Sequence, residues 1–295
     1  MIVAPTLADY LHGVYVPSRL DLGETAIQQY SIAISLLERW AGRSLTLADL
    51  DEQLICRWLR DYKATGKSGR TVNNKRQAVL TLWQHGYDWD YIGRPPRLGR
   101  VPRARENPPL PTAWTVEEVG RLFHEARKLF GRLAGMPRKR YVLAAFGLYY
   151  DTGCRHSELH RLRTADVDLS KACVIFRHTK TGNPRWCPLH QSTVDSLSRI
   201  YDIHRELLLP MPLCPSALRR RVQLLYQRAG VSYGRAEGGL HHKWRRTHAT
   251  LVEANGGEGH LAIGDTRQVF LASYWDRSFS RSHLEHLPRP VEPGS

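Results

Sequence analysis

Apolar residues recur at helical spacing through the first third of the chain. Tyr30, Ile34, Leu37 and Trp40 fall on one helix face, and Leu54, Trp58, Leu59 and Tyr62 on another. The run Gly69-Arg70-Thr71 opens a further helix, with Thr71 as its expected N-cap. Val79, Leu80, Leu82 and Trp83 form the buried side of that helix, while Lys75 and Arg76 stand near its start. It is expected to bury one face and present a basic one. From Gly93 to Pro111 the helical period disappears, and GRPPRLGRVPRARENPPLP consists largely of proline, glycine and arginine. Such a stretch reads as a linker, stiffened by proline and strongly basic.

Beyond it, Thr115-Val-Glu-Glu supplies an N-cap and early acidic residues, and Leu122, Phe123, Ala126 and Leu129 continue a helix. Val142 to Tyr150 reads as a buried helix. The pattern then changes. Val174-Ile175-Phe176, the turn Thr181-Gly182-Asn183-Pro184 and Trp186-Cys187-Pro188-Leu189 predict a β-hairpin with Lys180 at its tip. Leu218 to Ala229 is helical again and carries Arg219, Arg220 and Arg221. The chain is therefore expected to be mainly α with a small β-sheet or hairpin. Its expected division is a helical domain over residues 1–95, a linker over 96–112 and an α+β domain over 113–295, and a length of 295 residues suits two domains.

Charge narrows the function. Lys and Arg number 43 against 28 acidic residues, a formal net charge of +15. A protein this basic is drawn to polyanions by counterion release, with nucleic acid first and an anionic membrane surface second. A merely solubilising surface charge is the plainer reading, but the basic residues cluster with the motifs below. The N-terminus MIVAPTLADYLHG lacks the order of a signal peptide, and no apolar run is long enough to cross a bilayer. The five cysteines form no C-x-x-C pair, which argues against a zinc ribbon or a disulfide framework. A cytoplasmic, nucleoid-associated location is expected, with no membrane partner.

Four pieces of the second half carry chemistry. Thr152-Gly-Cys-Arg155-His-Ser-Glu158-Leu is a turn into a helix with an arginine at the bend. His178-Thr-Lys180-Thr-Gly puts a lysine on the hairpin turn. In His242-Lys-Trp-Arg245-Arg-Thr-His-Ala-Thr250, His242 and Arg245 share one helix face. Ile263-Gly-Asp265 is followed by Tyr274. Taken singly, each residue has a bland alternative: a surface arginine, a solvated lysine, a packing histidine, a core tyrosine. Their order and spacing resemble the tyrosine recombinase (phage integrase) family, and Ser68-Gly-Arg-Thr-Val-Asn73 resembles a stretch of its N-terminal core-binding domain.

The resemblance implies a helical core-binding domain followed by a catalytic domain that cleaves and rejoins DNA through a 3′-phosphotyrosyl link. Tyr274 would be the nucleophile. Arg155 and Arg245 would hold the non-bridging phosphate oxygens with forked, permanently charged donors. A tyrosine hydroxyl, with a pKa of about 10, needs help to attack at neutral pH, and His242 can assist as a base. Lys180 can deliver a proton to the leaving sugar oxygen. The arginines supply the positive charge that a metal would bring, so no cofactor and no metal are expected. His241, His242 and His248 lack the spacing of a zinc site. Glu158 is expected to hold the arginine turn. Arg70, Lys75, Arg76, Arg219 and Arg220 are the candidate DNA contacts. The implied partners are double-stranded DNA with inverted-repeat core sites and further copies of the chain, as a tetramer on DNA. Relatives dock a C-terminal segment on a neighbouring copy, and Phe279, Leu284 and Leu287 can serve in that role.

Two positions depart from the pattern. One is Arg246, which stands where the family often has histidine and adds positive charge nearby. Asp265 stands where the family usually has histidine or tryptophan, and an ionised carboxylate there repels the phosphate. It either pairs with an arginine or leaves the role to His260. The alternative function is accordingly a catalytically impaired DNA-binding protein of the same fold. A type IB topoisomerase would share the chemistry but needs a larger clamp, and a histidine metalloenzyme has the least support.

Overall fold

The structure is a computed structural model describing residues 5–177, 179, 182–211, 215–234 and 239–279, with 215–217 described by backbone only. The chain divides into two compact units, Met1–Pro108 and Pro109–Ser295.

The first unit is helical: α1 (Leu7–Tyr10) with a π turn through Tyr15, α2 (Glu24–Ala41), α3 (Glu52–Ala64) and α4 (Gly69–Asp88). Its core gathers Leu37, Ile55, Trp58, Val79, Leu80 and Trp83, the apolar positions of the helical pattern. Helix α4 starts one turn earlier than expected. Ser68, not Thr71, is the N-cap, its side chain accepting from the Thr71 N–H.

Two further expectations for this unit are corrected. Lys75 and Arg76 do not form an outer basic face. Both are buried, and Lys75 Nζ donates to Gln29 Oε1 at 3.1 Å, tying α4 to α2. Arg76 Nε donates to the Val101 carbonyl at 2.8 Å and Nη2 to that of Leu98 at 3.1 Å. The residues supplying those carbonyls belong to the stretch read as a linker. Val101 is itself fully buried in the first core, and Asn73 exchanges hydrogen bonds with the backbone of Ala104 at 2.9 and 2.8 Å. Gly69 permits this docking, because a Cβ there would lie 2.0 Å from the Arg105 carbonyl oxygen. The basic stretch thus spends part of its charge inside the unit, where Arg94 also pairs with the buried Glu52.

The second unit opens with α5 (Val116–Arg127), whose Thr115 and Glu118 form the capping box expected of Thr-x-x-Glu. A short ribbon of β1 (Arg132–Leu133) and β2 (Met136–Pro137) leads to α6 (Arg138–Thr152). Residues on every side of α6 are buried, as its unbroken apolar run requires of a central helix. Next come α7 (His156–Arg161) and an antiparallel sheet of β3 (Val167–Asp168), β4 (Cys173–Phe176) and β5 (Arg185–Pro188). Strands β4 and β5 pair with Val174 opposite Cys187 and Phe176 opposite Arg185. The unit is completed by α8 (Gln191–Ser198), α9 (Pro215–Arg228), α10 (His242–Ala254), α11 (Gly259–Ile263) and α12 (Arg267–Ser273). No helix among the described residues is long and apolar enough to cross a membrane.

Candidate active site

Helix α10 is fixed by its aromatic side. The fully buried Trp244 packs 4.8 Å from Phe146 and 5.1 Å from Trp114 between ring centroids, and its Nε1 donates to Tyr226 Oη at 2.7 Å. With Trp244 anchored in the core, His242 and Arg245 are set on a neighbouring face of α10, one turn apart.

The approach of Arg155 depends on a glycine. Helix α6 ends at Gly153, whose φ of +56° is left-handed and whose N–H donates to the Tyr149 carbonyl. A Cβ at this position would also meet the His248 ring at 2.7 Å. The sharp exit places Arg155 at the N-cap of α7. Glu158 then holds it twice, accepting from the Arg155 backbone N–H and from Nη1, each at 2.8 Å. Burial opposes the charge on Arg155, but the Glu158 and Asp265 carboxylates outweigh it and hold its pKa above the usual arginine range.

Arg245 has no exposed surface. Its Nη1 donates to the Gly153 carbonyl at 2.9 Å, and its Nη2 to the Ile263 carbonyl and to Asp265 Oδ2, each at 2.6 Å. Arg155 Nη2 reaches the same Asp265 oxygen at 3.3 Å. Asp265 therefore pairs with both arginines of the motif. The ring of His260 packs instead beside Phe270, with centroids 6.4 Å apart.

Tyr274 follows the last turn of α12 and is mostly buried in a small cluster with Ala249, Ile263 and Phe270. Thr250 of α10 donates to its carbonyl at 3.0 Å. The Arg245 guanidinium lies 5.3 Å from the centre of the Tyr274 ring, and the His242 ring lies 5.1 Å from it. His242 itself is at the exposed edge of this group. Dehydration by its neighbours, followed by the guanidiniums of Arg246, Arg245 and Arg155, pushes its imidazole down to about 4. Its exposure limits the first cause, whereas the three guanidiniums act in either case. The ring is thus neutral at pH 7 and able to accept a proton.

Arg155, His242, Arg245, Asp265 and Tyr274 come together in the second unit. Lys180 lies outside the described residues, as do Leu284 and Leu287. Arg219 and Arg220 are exposed on α9 and Arg70 is exposed on α4, whereas Lys75 and Arg76 are withdrawn from any phosphate by burial. A cleft of about 440 Å³ opens beside the arginines, lined by Arg155, Arg185, Asp265 and Thr266, and by Asn183 and Pro184 of the hairpin turn. Among the described residues no cluster of histidine, cysteine and carboxylate side chains is arranged to hold a metal.

Arg185 was missed in the sequence. Its Nη1 donates to the carbonyls of Thr152 at 2.6 Å and Ala262 at 2.8 Å, and its Nη2 lies 3.6 Å from Glu158. It ties β5 to the two backbone segments that carry Arg155 and Asp265. Its place at the strand start after Asn-Pro was the available signal. The result is an alternating row of charges: Arg185, Glu158, Arg155, Asp265, Arg245.

Residues 114–258 match the phage integrase family. A tyrosine recombinase XerA from Thermococcus kodakarensis is 31% identical over 176 residues, covering 58% of this chain and 53% of that protein. The chain matches about half the length of its curated relatives. A lambda integrase, solved as a tetramer bound to a Holliday junction, has a TM-score of 0.71 at 17% identity over 95% of this chain and 80% of that one. A Tn1549 transposon integrase in complex with circular intermediate DNA gives 0.66 at 16% identity, over 96% of this chain and all of that one. These structural likenesses establish the fold.

Proposed function

Because its second unit belongs to the phage integrase, or tyrosine recombinase, family, we propose that the chain cleaves and rejoins DNA strands through a 3′-phosphotyrosyl intermediate. The observation carrying this reading is Tyr274 beside His242 and under the Arg245 guanidinium, with Arg155 drawn to the same anionic point. The Tyr274 oxygen attacks the scissile phosphorus and the bond to the 5′ sugar oxygen breaks. Neutral His242 takes the phenolic proton, and Lys180 gives one to the leaving oxygen. Arg155 and Arg245 stabilise the charge that builds on the non-bridging oxygens. The tyrosyl ester conserves the phosphodiester, so a 5′-hydroxyl can reverse the step without a nucleotide cofactor.

The substrate in this reading is duplex DNA with inverted-repeat core sites. It is bound by several copies of the chain, a tetramer by analogy with the lambda integrase assembly. Arg70, Arg219 and Arg220 are the exposed cations proposed to meet phosphates. A nucleoid-associated, cytoplasmic location follows from such a substrate.

The test is a nicked suicide duplex built from the DNA flanking the coding sequence. We expect a covalent protein–DNA adduct that Tyr274→Phe abolishes. Tight, site-specific binding with no adduct would instead favour the second reading, a DNA-binding protein that no longer cleaves. The carboxylate between the two arginines is the observation on that side.

A further inference from the structure

We infer that Asp265 is a positioning residue occupying the seat of a phosphate oxygen, and that substrate phosphate enters the site by displacing it. This inference rests on the recombinase reading for the identity of the displacing group. Its geometry stands on the site alone.

A single oxygen, Asp265 Oδ2, takes hydrogen bonds from Nη2 of Arg245 and Nη2 of Arg155. Two guanidinium groups converging on one anionic oxygen is the arrangement a tetrahedral phosphate requires of an arginine pair. Every other donor of Arg245 with a partner is committed to backbone: Nη1 to Gly153 and the rest of Nη2 to Ile263. Its Nε is buried with no hydrogen-bond partner among the described residues. Of the five N–H groups of Arg245, the one bonded to Asp265 is the one whose partner is a side chain able to move, so an incoming anion meets Arg245 most directly where Asp265 now sits. The cleft that gives access to this point is lined by Arg155 and Asp265 themselves.

The charge pattern gives the same answer. In the row Arg185, Glu158, Arg155, Asp265, Arg245, the two terminal groups and the middle one are cations. Glu158 is almost fully buried and bonds the Arg155 backbone as well as its side chain, so it is fixed. The Asp265 carboxylate is more exposed, at 14%, and its only described partners are the two arginines. A phosphodiester carries one negative charge, as does the carboxylate. Exchange of one for the other keeps the alternation, whereas both together would put two anions on the same donors. In the empty site the carboxylate prevents the two guanidiniums from facing each other unpaired, which keeps them ordered. In the filled site it must rotate into the cleft.

Two measurements test this. The first titrates wild type, Asp265→Asn and Asp265→Ser with inorganic phosphate, followed by thermal shift, with Asp265→Asn/Arg155→Gln as the control. The amide of Asn keeps an acceptor without the charge, and Ser provides a second variant should Asn misfold. We expect phosphate to stabilise the variants at a concentration about tenfold lower than wild type, because removing one competing charge-assisted contact is worth roughly that much. We expect the Arg155→Gln control to lose the gain. Equal phosphate response in wild type and both variants, or no response in either variant, would overturn the inference. The second measures adduct formation on the nicked duplex at saturating DNA. A faster rate in Asp265→Asn supports displacement, and a rate at or below wild type argues that the carboxylate is needed during the chemistry and overturns it. If phosphate binding improves but no protein forms an adduct, the seat is right and the recombinase reading fails. If wild type forms the adduct and phosphate binding is unchanged, the reverse holds.

Discussion

Each unit of the chain buries an arginine on a helix, and the two are used in opposite ways. Arg76 in α4 donates to the carbonyls of Val101 and Leu98 and, among the described residues, pairs with no carboxylate. Arg245 in α10 also donates to two carbonyls, but its remaining contact is a carboxylate at the edge of a cleft. Backbone carbonyls cannot leave when a ligand arrives, so Arg76 is a staple. A side-chain carboxylate can rotate away, so Arg245 is a staple on one side and, in the role we propose for it, an anion receptor on the other. The lesson is that burial of a cation does not separate structure from function. What separates them is whether the partner can be exchanged.

The largest effect that sharpens this contrast is on the chemistry. Replacing Arg245 by Gln removes one charged donor from the proposed transition state and also the bonds to the Gly153 and Ile263 carbonyls, so the rate is read on protein whose fold circular dichroism has first verified. Adduct formation on the nicked duplex is expected to fall by about 10²–10³-fold, the usual cost of one such donor, with DNA affinity changed far less. A fall in affinity that matches the fall in rate would make Arg245 a binding residue only, and the comparison would lose its functional half.

The next effect is acid sensitivity, which should differ between the units. In the second unit burial pushes His241 down to about 3 and His156 and His248 down to about 4. His156 and His241 stack with centroids 4.0 Å apart, so protonating one penalises the other. A histidine whose folded pKa lies below its unfolded value of 6.5 binds fewer protons when folded. Stability is therefore complete above pH 6.5 and is lost as pH falls toward 4. After allowance for partial solvent screening, the three histidines together are worth on the order of 3 kcal/mol. The first unit has one comparable group, His85, held by Tyr10 and Ser18 and lowered by burial. Calorimetry of the full chain between pH 7.5 and 4.5 should show one transition moving down by about 6–12 °C and the other moving less. Transitions that fall in parallel would contradict the difference.

The sequence carried the helix faces and the hairpin, because buried side chains at periods of 3.6 and 2 leave a local trace. Leu37, Trp58, Val79 and Val174 all fall inside as the pattern requires. The conjunction of Arg155, His242, Arg245 and Tyr274 was legible through motif order, although no single one of them stood out. What was not legible depends on distant partners. Nothing near Arg76 announces that residues 98–101 will cover it, so a helical wheel leaves it on a free basic face. The pairing of Asp265 with both arginines joins residues 110 and 20 positions apart, and either alone could have been its partner. Arg185 belongs to no motif, and only the closure of β5 onto the ends of α6 and α11 gives it a role. The cap at Ser68 was missed because Thr71, three residues on, is also a capping type.

The smallest effect separates the staple from the proposed phosphate contact on the same helix. Arg70 and Arg76 both lie on α4, one exposed and one buried. Arg76→Gln removes two charge-assisted bonds to carbonyls and should cost about 2 kcal/mol of stability in denaturant unfolding. In the folded variant the salt dependence of DNA binding should be unaltered, because no proposed phosphate contact is lost. Arg70→Ala should do the opposite: stability within about 0.5 kcal/mol of wild type, and a slope of log affinity against log salt shallower by about 1. Arg219→Ala on α9 should behave like Arg70→Ala. The slopes are read from filter binding or anisotropy titrations at several salt concentrations. A shallower slope in Arg76→Gln would mean that its guanidinium leaves the Val101 and Leu98 carbonyls for DNA. Its partners would then be exchangeable after all, and the distinction from Arg245 would collapse.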